Sequence, residues 1–203
     1  MCGRFVDPNF AEISETKIDP FKGWKRRYNI KPTQDVWTFD DDGAPALARW
    51  WLIPSWHKGD LKDWKATTFN ARIEDAAKKP AYRGPWKYGR CLIPAGGYYE
   101  WTGEKGSKQP HFIRNAGNEE TLWFAGLSSV WQDMLTCTIV TRAANDMVDA
   151  VHHRMPVILN TEERDAWLGG SDDPDIGAGV QLRHHPVSKF GAKDDGPELI
   201  EEE

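Results

Sequence analysis

Cys2 stands at the second position of the chain, followed by Gly3-Arg4-Phe5. A methionine before a small residue is expected to be removed, which leaves Cys2 with a free α-amine and a thiol on adjacent carbons. The amine titrates near ~7.7–8.0 and a free thiol near ~8.5, so both are within reach of neutral pH. Such a 1,2-aminothiol has two chemistries. Its thiolate can attack an acyl carbon with its own amine as base. Its amine can instead condense with an aldehyde, after which the thiol closes a five-membered thiazolidine.

Other segments carry polar groups in site-like settings. Asn70-Ala71-Arg72 begins a run through residue 79 that is rich in helix formers and stops at Pro80, which predicts a helix over 70–79. The first backbone N–H groups of such a helix favour anions. Glu100 lies among aromatic residues in Gly97-Tyr98-Tyr99-Glu100-Trp101, a setting that raises a carboxyl pKa and suits general acid or base work. His152-His153-Arg154 sets an imidazole beside a guanidinium. Adjacent histidines on a strand point to opposite faces, so neither this pair nor His184-His185 reads as a metal site. Cys2, Cys91 and Cys137 form no CxxC, which excludes a zinc ribbon and any disulfide framework. No metal and no cofactor are expected.

The elements that must position these groups follow from pattern. Asp40-Asp41-Asp42-Gly43 separates two strand-like runs, 35–39 and 46–52, as a hairpin. Residues 90–94, 98–101, 110–114, 122–126 and 135–141 read as further strands, with short helices over 143–150 and from Thr161, taken as the N-cap. Many strands with few helices predict an α+β fold, a β-rich, barrel-like centre with a few flanking helices. At 203 residues, against about 150 per domain, one domain over 1–203 is expected.

The formal net charge of −5 argues against a generally basic nucleic-acid binder. The charge is uneven, however. From Ser171 onward nine acids face three bases, a net of −6, which leaves residues 1–170 at +1. The acidic 171–203 segment is expected to be peripheral. No apolar stretch approaches the ~18 residues of a membrane span, and the N-terminus has no signal h-region, so a cytoplasmic monomer is expected. The count of 11 Trp is unusual. Trp56, Trp64 and Trp86 sit beside Pro or Lys, as in proteins that stack bases of single strands.

The order of motifs then points to a family. Met1-Cys2-Gly3-Arg4-Phe5, Tyr28-Asn29-Ile30-Lys31-Pro32-Thr33-Gln34, Leu52-Ile53-Pro54-Ser55-Trp56 and Asn70-Ala71-Arg72-Ile73-Glu74 come first. Arg90-Cys91-Leu92-Ile93-Pro94, Gly97-Tyr98-Tyr99-Glu100-Trp101, Phe124-Ala125-Gly126-Leu127 and His152-His153-Arg154-Met155-Pro156 follow. The series resembles the SOS-response-associated peptidase (SRAP) family, the abasic-site processing proteins. The resemblance implies a DNA-damage function: binding of abasic sites in single-stranded DNA, and a thiazolidine crosslink from the N-terminal Cys to the sugar aldehyde that shields the lesion. It implies catalytic roles for Cys2, Asn70, Glu100 and His152, and DNA contacts from Arg4, Pro32, Trp56, Arg72, Trp101, Thr141 and Arg154. It also carries a lyase-like activity and peptidase self-processing of Met1 as expectations. The chain departs from the family pattern at Trp51, where Gly is usual, at Lys31 and at Gly96. The competing readings are an N-terminal-nucleophile hydrolase of the peptidase or glutamine amidotransferase type, and a non-enzymatic single-strand binder.

Overall fold

Period-two alternation and turn residues decide most of the strands in the computed structural model, which describes residues 2–13, 21–104, 106–117 and 119–203. Met1, expected to be removed, lies outside them. In chain order the elements begin with β1 (Phe5–Val6), β2 (Asp35–Phe39), β3 (Pro45–Trp50) and β4 (Asn70–Arg72). Next come α1 (Arg83–Tyr88), β5 (Arg90–Ala95), β6 (Gly97–Thr102), β7 (Gln109–Asn115), β8 (Leu122–Trp131) and β9 (Met134–Ala143). The last are α2 (Asp146–Asp149), β10 (Arg154–Pro156), α3 (Thr161–Leu168) and β11 (Leu182–Pro186).

Pairing runs β9-β3-β2-β5-β8 and returns from β8 to β9, which closes a five-stranded barrel. β10 and β4 attach to β9, and a separate sheet runs β1-β6-β7-β11. The α+β, barrel-centred expectation holds. One set of alternating barrel residues, including Val36, Trp50, Ile93, Phe124 and Ile139, shares a core with Phe5, Tyr98 and Ile113 of the second sheet. Edge-on rings hold that junction, Phe5 to Trp50 at 5.1 Å and Phe5 to Phe124 at 5.9 Å. The opposite set, Leu92, Ala125, Leu127 and Val140, packs on Trp167 of α3.

The chain passes from barrel to second sheet at Gly96-Gly97. Gly97 has φ +152°, and a Cβ there would approach the Ile113 carbonyl oxygen to 2.7 Å, so only glycine fits. Thr33 also has a positive φ, 81°. Its N–H donates to the Trp50 carbonyl at 2.9 Å, which fixes the turn against β3. A β-branched residue in that region is strained. Thr33→Gly is therefore expected to stabilise the protein by about 1 kcal/mol, raising Tm by roughly 2–4 °C. Thermal melting checks this; a lower Tm would mean that the threonine side chain outweighs its backbone strain.

Three local expectations are corrected. The predicted helix over 70–79 is instead β4 followed by turns. Asn70, Ala71 and Arg72 pair in parallel with Ile139, Val140 and Thr141, and sheet pairing overrides helix propensity. The N-cap of α3 is Asn160, whose side chain accepts from the Glu163 N–H in a capping box, rather than Thr161. The acidic C-terminal segment is not peripheral. β11 completes the second sheet, and Val187 and Leu199 cover its outer face against Tyr99 and Phe112. Apolar residues spaced among the acids, Val187, Phe190, Leu199 and Ile200, anchor it.

Candidate active site at the chain start

Cys2 leads directly into β1, and Phe5 pairs with Tyr98. Carrying that register back sets the first residues beside Glu100, two positions along β6. Asn70, at the head of β4, arrives from the barrel side: its Nδ2 donates to the Cys2 carbonyl at 2.8 Å. That bond fixes the amide's orientation. Its Oδ1 is buried and has no partner among the described residues. The Asn70 carbonyl in turn accepts from the Tyr82 hydroxyl at 3.0 Å.

The electrostatics of this corner are set by burial. Cys2 is fully buried and Glu100 is 4% exposed. Burial, then the charge of Glu100, pushes the Cys2 thiol far up, so sulfur is held as S–H. Burial also raises the Glu100 carboxyl, against the pull of the chain's amino terminus. Burial lowers His152, and the amino terminus lowers it further. His152 Nδ1 lies 2.9 Å from the Arg154 backbone nitrogen and 3.1 Å from the Arg154 carbonyl oxygen, contacts that tie the ring to the start of β10.

The expected DNA contacts divide. Arg72 is exposed on β4, Pro32 is half-buried and Trp56 is 53% exposed. Arg4 is partly engaged: its Nη1 donates to Asn29 Oδ1 at 2.9 Å, and its guanidinium lies 5.8 Å from the rings of Trp101 and Phe190. Trp101 is half-buried beside Phe190. Arg154, expected at phosphate, and Thr141, expected near the kinked strand, are both buried. Arg154 is 8% exposed and holds Glu74 with both nitrogens, at 2.5 and 2.9 Å, plus the Thr141 carbonyl at 2.8 Å. Thr141 is fully buried, and its hydroxyl donates to the Ala71 carbonyl at 3.3 Å. Both residues lock β10, β9 and β4 together and so position His152 and Asn70.

Sequence reasoning missed Glu74, the partner of Arg154. The signal was its place two residues beyond Arg72, masked by the helix reading. It missed Asn29, which ties Arg4 to the Gly191 and Asp194 carbonyls, and Tyr98, buried on the Glu100 face of β6 with no partner for its hydroxyl among the described residues. Glu74→Ala would strand the Arg154 charge. A broken buried pair costs roughly 3–5 kcal/mol, and the half-exposed Glu74 carboxylate reduces that here to about 2 kcal/mol. The expected fall in Tm is roughly 4–8 °C, with Arg154→Met milder; a Glu74→Ala melt equal to wild type would remove the pair from the stability account. Among the described residues no three His, Cys, Asp or Glu side chains come together as a metal site.

Comparison with known proteins agrees with this architecture. The chain is 24% identical to a solved structure from Bacteroides thetaiotaomicron, with a TM-score of 0.76 over 97% of this chain and 91% of that one, a likeness of fold. It is 35% identical to the abasic site processing protein YoqW of Bacillus subtilis (strain 168), over 99% of both chains. It is 33% identical to the abasic site processing protein HMCES of Gallus gallus, over 75% of this chain and 55% of that one. The family model described as SOS response associated peptidase (SRAP) matches residues 1–190, and the chain belongs to that family.

Proposed function

We propose that the protein processes abasic sites in single-stranded DNA by bonding the lesion covalently to Cys2 once Met1 is removed. The observation that carries this reading is the place of Cys2, fully buried, with its carbonyl held by Asn70 Nδ2 at 2.8 Å and Glu100 close enough for its charge to act on the thiol. In the ring-opened lesion the sugar presents an aldehyde. The Cys2 amine attacks its carbon and passes one proton to the oxygen, the raised Glu100 carboxyl delivers a second, water leaves, and the iminium returns its proton to the carboxylate to leave a neutral imine. Sulfur then adds to the imine carbon while the thiol proton passes, through Glu100, to the nitrogen. One water is lost overall.

The neighbours have distinct tasks. Asn70 fixes the Cys2 carbonyl and hence the direction of the amine, and its open Oδ1 suits the amine or a sugar hydroxyl. His152, whose pKa burial lowers, serves the sugar or its 3′ phosphate as acid or base. Arg72 meets phosphate, while Pro32 and Trp56 flank the strand. Arg154 and Thr141 act through what they position.

Intact mass spectrometry tests the proposal. A single strand bearing one abasic site should give a species at the mass of mature protein plus strand minus one water, and an undamaged strand should give none. Glutamine or peptide hydrolysis without that species would sink the reading.

A further inference from the structure

Beside the active corner, on the β3 side, lies an open cleft of about 580 Å³ lined by Thr33, Arg49, Trp51, Asp60, Leu61, Lys62 and Trp64. Sites for small ligands occupy roughly 300–1,000 Å³. Its two indoles have no polar atom to offer. Trp51 spends its N–H on the Ala66 carbonyl at 3.1 Å, and Trp64 spends its own on Thr68 Oγ1 at 3.0 Å. What remains toward the cleft is ring surface.

The charge around those rings is mixed, with a cationic excess. Arg49 donates through Nη1 to the Thr33 carbonyl at 2.9 Å, and its Nε is buried with no acceptor among the described residues. Lys62 and Asp60 form an exposed, loose pair at 3.7 Å. Flat apolar faces beside a guanidinium and an ammonium suit a nucleotide, a base for the rings and a phosphate for the cations.

The cleft is also joined to the site. Trp51 packs on Phe69 at 5.5 Å, and the next residue, Asn70, bonds to Cys2. Thr33 follows Pro32. On its far side Trp64 is shared with a second hollow of about 320 Å³, which includes Trp56 and Lys79.

We infer that this cleft is a second subsite, which holds an unpaired base of the DNA strand flanking the lesion, stacked on Trp51 and Trp64, with its phosphate toward Arg49 and Lys62. The inference rests on the single-strand reading above and adds to it a nucleotide position away from the reacting sugar.

Affinity for an undamaged single strand gives the first readout, and it needs no crosslinking. Stacking contributes about 1–3 kcal/mol per base on alanine substitution, so Trp51→Leu and Trp64→Leu should each raise Kd by roughly 5- to 150-fold, with Trp64→Phe close to wild type. Unchanged Kd in both Leu variants overturns the inference. Because either variant could unfold, a second readout uses the wild-type protein. Single strands carry 2-aminopurine at successive positions flanking the abasic site. Fluorescence quenching at one or two neighbouring positions is expected, and no position-dependent quenching overturns the inference. A weakened Kd seen only for blunt duplex would reassign the cleft to a terminal base pair and also overturn it. If the adduct forms but the cleft readouts fail, the subsite falls alone. If the cleft readouts hold without an adduct, the covalent function falls and the subsite stands.

Discussion

Cys2→Ala is expected to reduce the heat-stable adduct with abasic single-stranded DNA to below detection. The variant keeps an α-amine at the same place, so the imine step survives while ring closure does not. Borohydride should therefore still trap protein on the strand, because reduction of the imine fixes it without sulfur. Cys2→Ser should behave like Cys2→Ala on heating, since an alcohol closes a far less stable ring than a thiol. The comparison separates two roles within one residue: loss of both stable and trappable adduct would mean that the substitution disturbs the corner held by Asn70. A heat-stable adduct in Cys2→Ala would move the chemistry to another nucleophile and refute the proposal. Burial of the thiol fits this order of events. A neutral S–H does not compete with the amine for the aldehyde, and it closes the ring only after the imine has formed.

Glu100→Gln is expected to slow adduct formation by about 10²–10⁴-fold, the range that a placed general acid or base contributes. Quenched-flow sampling on denaturing gels measures it, at strand concentrations that saturate both proteins. The same variant should be more stable than wild type near neutral pH. The folded pKa of Glu100 lies above its unfolded value of about 4.3, so ionisation is unfavourable in the folded state, and the native protein is penalised once pH exceeds both values. Below about pH 4 the carboxyl is protonated in both states and the advantage of Gln disappears. Melting curves across pH 4–8 check the sign. A variant that is slower and no more stable at neutral pH would mean that the amino terminus already compensates the buried charge in full. A variant with unchanged rate would make Glu100 a structural residue.

The parts of the molecule that were readable in the sequence are those where local chemistry decides. Asp40-Asp41-Asp42-Gly43 makes its turn with its own atoms: Asp40 Oδ1 accepts from the Asp42 and Ala44 N–H groups at 3.1 and 2.8 Å. No distant residue is needed, and the hairpin falls where expected. Cys2 is equally local, since its chemistry comes from its position in the chain. Residues 70–79 are the opposite case. Their composition favours helix, and only a strand some seventy residues later, β9, decides that Asn70–Arg72 extend. The place of Arg154 is set at a similar distance. An arginine in a functional motif looks like a phosphate ligand until its partner is known, and Glu74 is 80 positions away. Thr141 is polar in type yet fully buried, and nothing in its immediate neighbours gives its depth. Asn160 took the cap from Thr161 by one position, the scale at which helix boundaries are ordinarily ambiguous.

The segment that closes over Arg4 and Asn29 bears on how the molecule is made. Asn29 donates to the Gly191 and Asp194 carbonyls at 3.0 and 2.7 Å, and the Tyr28 N–H reaches Asp195 at 2.5 Å. The first thirty residues leave the ribosome early, and these partners follow more than 160 residues later. The region around Cys2 is therefore completed by contacts between segments more than 160 residues apart, which form late relative to a local motif. A nascent chain holds its aminothiol without the enclosure that sets its reactivity. A chain that ends before Gly191 holds Cys2, Asn70, Glu100 and His152 in full, with Asn29 lacking both of its anchors.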